Sequence, residues 1–166
     1  RESACNFYDG VEQHEVEAFY AQMKLDDVNK KLSVSDSSSV EQTPIQQYGS
    51  PSYGLNSTLI KENGIIREEV WRLNGKYGAA IEKIVYWLEQ AKKYAENDQQ
   101  RHVISLLIKY YTSGDLRDFD VYSIEWLKEQ DARIDFINGF IEVYGDPMGL
   151  KGSWEGIVEY KDLDAT

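Results

Sequence analysis

Between residues 76 and 131 three stretches with helical spacing follow one another, and on either side lie segments rich in β-branched and aromatic residues. That order leaves few folds open. Strands that come as pairs before and after a block of helices do not build the alternating units of a parallel sheet, so the chain reads as α+β. In the clearest helix, Lys76 to Asp98, the residues Ile81, Ile84, Val85, Leu88 and Ala91 fall on one stripe. Asp98 is expected to cap the next helix, which Gly114 ends, and Asp115 to Asp131 reads as a third.

The flanks carry strand and turn signals. Ser52 to Leu73 reads as a β-hairpin around Asn63-Gly64, a pair that tolerates positive φ at both turn positions. "RIDFINGFIEVYGDP" and "SWEGIVEYKD" read as two strands joined by a Gly/Pro loop. Nearer the start, Tyr8 to Lys24 places Val11, Val16, Phe19, Tyr20 and Met23 near helical spacing, which predicts an amphipathic helix. The Ser- and Gln-rich stretch 29–51 holds two of the three prolines and is expected to be a flexible surface loop.

Composition removes several classes of function. The 166 residues suffice for one domain or for a piece of a larger one. With 18 basic against 29 acidic residues the net charge is −11, which argues against nucleic acid and against an anionic membrane as partners. Cys5 is the sole cysteine, so no intrachain disulfide and no cysteine-based zinc site can form. No apolar run approaches the ~20 residues of a membrane span. The chain opens on Arg1 rather than methionine, so a fragment is expected; a cytoplasmic setting is the expectation, with periplasm or export left open.

Chemical motifs are scarce. "HEVEA" at His14 to Ala18 lacks the second histidine that His-Glu-x-x-His needs, and His102 stands far away in sequence. Both histidines are expected to be solvated helix residues. There is no P-loop, no GxGxxG and no supported nucleophilic triad. Most of the 12 tyrosines and 4 tryptophans are expected in the core, Trp87 and Tyr94 among them.

Glu142 is different, because it interrupts the apolar run "FINGFIEVYGDP". If residues 140–144 are a strand, Phe140, Glu142 and Tyr144 share one face, while Ile141 and Val143 point to the core. A half-exposed strand with a Glu142–Lys151 salt bridge is the plainer alternative.

The segment "NGFIEVYGDPMGLKGSWEGIVEYKD" resembles the dipeptidyl peptidase III family of zinc peptidases. The Gly139-Phe-Ile-Glu-x-Tyr-x-Asp-Pro-x-Gly149 core is followed at the family's spacing by Gly152, Trp154, Glu155 and Gly156. "SYGLNSTLIKENG" and "YGAAIEKIVYWLEQAKKYAEND" are also similar to the family, especially to its bacterial branch, and only residues 29–51 look divergent.

This resemblance implies a two-lobed protein several times longer, with a helical zinc lobe and a lobe built around a β-barrel. Residues 1–166 are similar to the non-zinc lobe alone, so a β-barrel-like or mixed sheet with packed helices is expected. The implied partners are short peptides with a free N-terminus and the zinc lobe of the same polypeptide. Zinc is implied in the intact enzyme but outside this segment, which lacks His-Glu-x-x-x-His and is expected to be inactive alone. By the family's motif, Glu142 meets the peptide's α-ammonium and Tyr144 hydrogen-bonds near the scissile bond. A non-catalytic interaction module with a peptidase-derived fold is the alternative.

Overall fold

A computed structural model of the chain describes residues 5–33, 54–162 and 165, with the side chains of 27–33 left out. The predicted loop 29–51 therefore lies outside the described residues, apart from the end of the first helix.

The α+β class holds. Two small open sheets and four helices make up the described residues, and no closed barrel is present among them. The first sheet is mixed, in the order β1-β2-β3: β1 (Tyr8–Asp9) runs parallel to β2 (Asn56–Glu62), which is antiparallel to β3 (Ile65–Trp71). The second sheet pairs β4 (Ile134–Glu142) with β5 (Ser153–Tyr160), antiparallel. Between the sheets in sequence come α2 (Gly78–Lys92), α3 (Asp98–Ser113) and α4 (Leu116–Trp126), while α1 (Gln13–Ser33) follows β1.

Local chemistry accounts for the boundaries. Asn63 and Gly64 both take positive φ, 52° and 80°, and so close the β2–β3 hairpin. Gly114 ends α3 at φ 69°, with its amide donating to the Tyr110 carbonyl. Asn97, not Asp98, caps α3: its side chain accepts from the Gln100 amide, and Asp98 becomes the first helical residue. The first helix starts later than its apolar spacing predicts, because Gly10 sits at φ 65° and breaks the segment into strand and helix. Glu12 and Glu15 then close the helix start, the Glu12 amide donating to Glu15 Oε2 at 3.1 Å.

The apolar residues form two clusters. In one, Ile81, Val103, Leu107, Tyr110, Tyr111 and Tyr122 are buried between the helices and β4, with Ile84, Val85, Leu88, Phe136 and Phe140 against them. In the other, Val16 and Tyr20 of α1 cover Leu59 of β2, joined by Met148 and Leu150 from the β4–β5 connection. Trp71 of β3 lies between the two: it stacks on Phe7 at 5.6 Å and meets Phe140 edge-on at 5.6 Å.

Trp87 and Tyr94 are not core residues. They are 66% and 84% exposed. The stripe that α2 buries is narrow, and Trp87 follows Tyr86 on the helix's outer face, where the two rings pack edge to face. Tyr20, Tyr110, Tyr111 and Tyr122 do take core positions.

Candidate functional site

Glu142 closes β4 opposite Ser153. The pairing register shifts just before it: Phe140 faces Trp154, yet Glu142 faces Ser153, so Ile141 is an extra residue on β4. Gly152 makes this possible. A Cβ there would lie 2.7 Å from the carbonyl carbon of Phe140, so only glycine lets the two strands approach this closely.

The bulge overturns the expected alternation. Ile141 and Val143 are 36% and 41% exposed instead of pointing into the core. The strand stops at Glu142, and Tyr144 stands in the following turn, 83% exposed. In that turn the Asp146 amide donates to the Val143 carbonyl at 3.0 Å. Glu142 and Tyr144 thus do not share a strand face. They are an exposed carboxylate and an exposed phenol two residues apart at one end of the second sheet, and neither side chain is hydrogen-bonded to another described residue.

The Glu142–Lys151 salt bridge is also overturned. Lys151 is buried, and its Nζ donates to the Ser57 carbonyl at 3.0 Å and the Ser57 hydroxyl at 3.2 Å. The ammonium lies over two rings, 5.0 Å from the centroid of Tyr8 and 5.3 Å from that of Tyr20. Burial pushes its pKa down to about 8, against the nearby Glu68 and Asp146 charges that raise it.

Asp146 organises the rest of the loop. Its carboxylate accepts from the amides of Met148, Leu150 and Lys151 at 3.0, 2.9 and 2.8 Å. The Tyr8 hydroxyl donates to the same group at 3.1 Å. Burial and then the Asp146 charge push the Tyr8 phenol above its ordinary range. Sequence reasoning missed this buried cluster. Asp-Pro followed by glycine does signal an Asx-type turn, but the contacts with Tyr8 and Ser57 bridge 138 and 94 residues.

Neither histidine joins the site. His14 on α1 and His102 on α3 are exposed, and among the described residues no group of three or more His, Cys, Asp or Glu is placed to hold a metal ion. Cys5 is half-buried, and its Sγ accepts from the Phe7 amide at 3.3 Å.

The sequence profile of peptidase family M49 matches residues 6–166. The chain belongs to this family. Dipeptidyl peptidase 3 of Rattus norvegicus is 33% identical over 93 residues, which is 55% of this chain but 13% of that protein. The Homo sapiens enzyme is 34% identical over 84 residues, 51% of this chain and 11% of its own length. Among solved structures, that of DPP III from Caldithrix abyssi superposes with a TM-score of 0.68 at 15% identity, over 97% of this chain and 26% of that one. DPP III from Corallococcus sp. strain EGB gives 0.66 at 21% identity, with the same coverage. The fold is thus that of a segment of DPP III. The chain matches only a small part of the length of its relatives, so it is a peptidase-family segment.

Proposed function

We propose that this segment is the substrate-binding part of a zinc-dependent dipeptidyl peptidase, in which Glu142 receives the α-ammonium of a peptide and Tyr144 hydrogen-bonds its backbone. The observation that carries the reading is the freedom of Glu142. Lys151, the counter-ion that closeness in sequence offers, is buried and engaged by Ser57, and the Glu142 carboxylate is exposed at the end of β4.

An exposed carboxylate at a fixed place distinguishes a free N-terminus from an internal amide. The ammonium offers charge-assisted hydrogen bonds, and an acylated nitrogen offers none of that charge. The β4–β5 pair is a two-stranded sheet among the described residues, so an extended peptide has strand edge to run along. In this proposal the zinc is held by polypeptide outside this chain.

The test is Glu142→Ala in the full-length protein. A charge-assisted hydrogen bond is worth roughly 1.5–3 kcal/mol, so kcat/KM on a free-amine substrate should fall about 10- to 150-fold. Most of the loss should appear in KM, because ground state and transition state hold the ammonium alike. N-acetylated peptides should be handled no worse than before. An unchanged preference for the free amine at wild-type stability would remove Glu142 from the site.

A further inference from the structure

The connection from β4 to β5 is built more heavily than a strand connection requires. It runs from residue 143 to 152, where hairpin loops usually take about 2–5 residues. It buries a carboxylate and an ammonium, Asp146 and Lys151, at 5% and 2% exposure. Burying a lysine is costly in stability, so its presence here is poorly explained by folding alone.

The side chains of these two residues tie the connection to itself and to the first sheet. Asp146 draws the loop backbone around itself through the amides of Met148, Leu150 and Lys151, and receives the hydroxyl of Tyr8 in β1. Lys151 reaches Ser57 in β2 and lies over Tyr8 and over Tyr20 of α1. Ser57 in turn donates to Glu68 of β3 at 2.7 Å. The loop that begins beside Glu142 and carries Tyr144 is therefore fastened to β1 and β2 of the first sheet and to α1, and only Ser57 links it onward to β3.

We propose that Asp146 and Lys151 are positioning residues for the Glu142–Tyr144 site, clamping loop 143–152 to the first sheet and so fixing where the carboxylate and phenol meet a peptide. This rests on the substrate-binding reading given above. The clamp acts through the loop backbone and touches no substrate. Its effect is to hold the distance between an ammonium-binding group and a backbone-binding group, the quantity that sets where along a peptide the site engages.

The experiment measures binding of a short peptide and of its N-acetylated twin to the full-length protein, together with Tm. The variants are Tyr8→Phe, Lys151→Met and Glu142→Ala. Tyr8→Phe removes only the hydroxyl on Asp146 and keeps the ring beneath Lys151, so it preserves the fold even if Lys151→Met does not. The expected result is that Tyr8→Phe reduces the preference for the free-amine peptide by roughly 10-fold, at a temperature where the variant is fully folded. Lys151→Met should do the same or more where it folds. A lowered Tm with the preference intact in Tyr8→Phe, while Glu142→Ala abolishes that preference, overturns the clamp and leaves the substrate-binding reading standing. An unchanged preference in Glu142→Ala overturns both.

Discussion

The side-chain amide of Asn56 donates to the carbonyl of Gly152 at 2.7 Å and so joins the first sheet to the second. Asn56 is buried at the start of β2, and Gly152 is the residue whose missing Cβ admits the β4 bulge. One backbone position thus serves two contacts, one through its carbonyl and one through the absence of a side chain.

Gly152→Ala should accordingly destabilise the fold. The added methyl would lie 2.7 Å from both the carbonyl carbon and the oxygen of Phe140, which are backbone atoms that cannot swing aside. Overpacking of this kind costs roughly 1–3 kcal/mol, and displacement of the Asn56 bond adds about 1 kcal/mol. Denaturant unfolding should show a loss of at least about 2 kcal/mol. Gly64→Ala, where nothing lies within 4 Å of the new methyl, should cost only the strain of its positive φ, about 1 kcal/mol.

Tyr144→Phe separates the phenol's chemistry from its packing. The side chain is 83% exposed, so loss of the hydroxyl should leave Tm unchanged. If, as proposed, the phenol donates to the carbonyl oxygen of a peptide as charge develops there, kcat of the full-length protein on that peptide should fall by about 100- to 1,000-fold with a smaller change in KM. Equal kcat for the two proteins would take Tyr144 out of the reaction.

Exposure and burial of apolar residues give a matched pair. Trp87→Gln should change stability by less than about 0.5 kcal/mol, because the indole is 66% exposed. Leu107→Ala, at a position with 0% exposure inside the helical cluster, should cost roughly 2–5 kcal/mol. Comparable losses for the two would mean that the outer face of α2 is covered.

The features legible in the sequence are those that one or two neighbouring residues decide. Asn63-Gly64 and Gly114 work through their own φ angles, so turn and helix end fall where the sequence places them. The helical stripe Ile81–Leu88 depends on spacing along one helix and is equally legible. What escaped depends on partners far along the chain. The extra residue at Ile141 exists only relative to β5, so period-two reasoning carried Ile141 and Val143 to the wrong side. Lys151 read as a counter-ion for Glu142 because the two are close in sequence, but its actual partner Ser57 lies 94 residues away. The chemistry of Trp87 favours the core, but its place on the outer face of α2 overrules that.

The pH dependence of stability follows from Lys151 and the buried phenols. The Lys151 pKa falls from 10.5 to about 8 on folding, so between those values the unfolded chain binds more protons, and stability should rise with pH. At about 1.4 kcal/mol per unit the gain is bounded on the order of 3 kcal/mol. Burial raises the phenols of Tyr8, Tyr20, Tyr110, Tyr111 and Tyr122 above 10.0. Their contribution is complete below pH 10.0 and is lost above it as the unfolded chain ionises. Unfolding curves across this range should therefore show a gain above pH 8 that turns downward past 10, and Lys151→Met should show the fall without the preceding gain.

The open β5 strand has a practical consequence for anyone handling the chain in solution. It pairs only with β4 among the described residues, and Ile157, Val158 and Tyr160 are 44%, 76% and 66% exposed along it. A strand edge with apolar side chains beside it is a template for joining another copy. The excess of carboxylates, a net charge of −11, is what keeps such copies apart. Acid that protonates those groups removes the repulsion and leaves the template in place, so turbidity in mildly acidic buffer would report on β5 before it reported on unfolding.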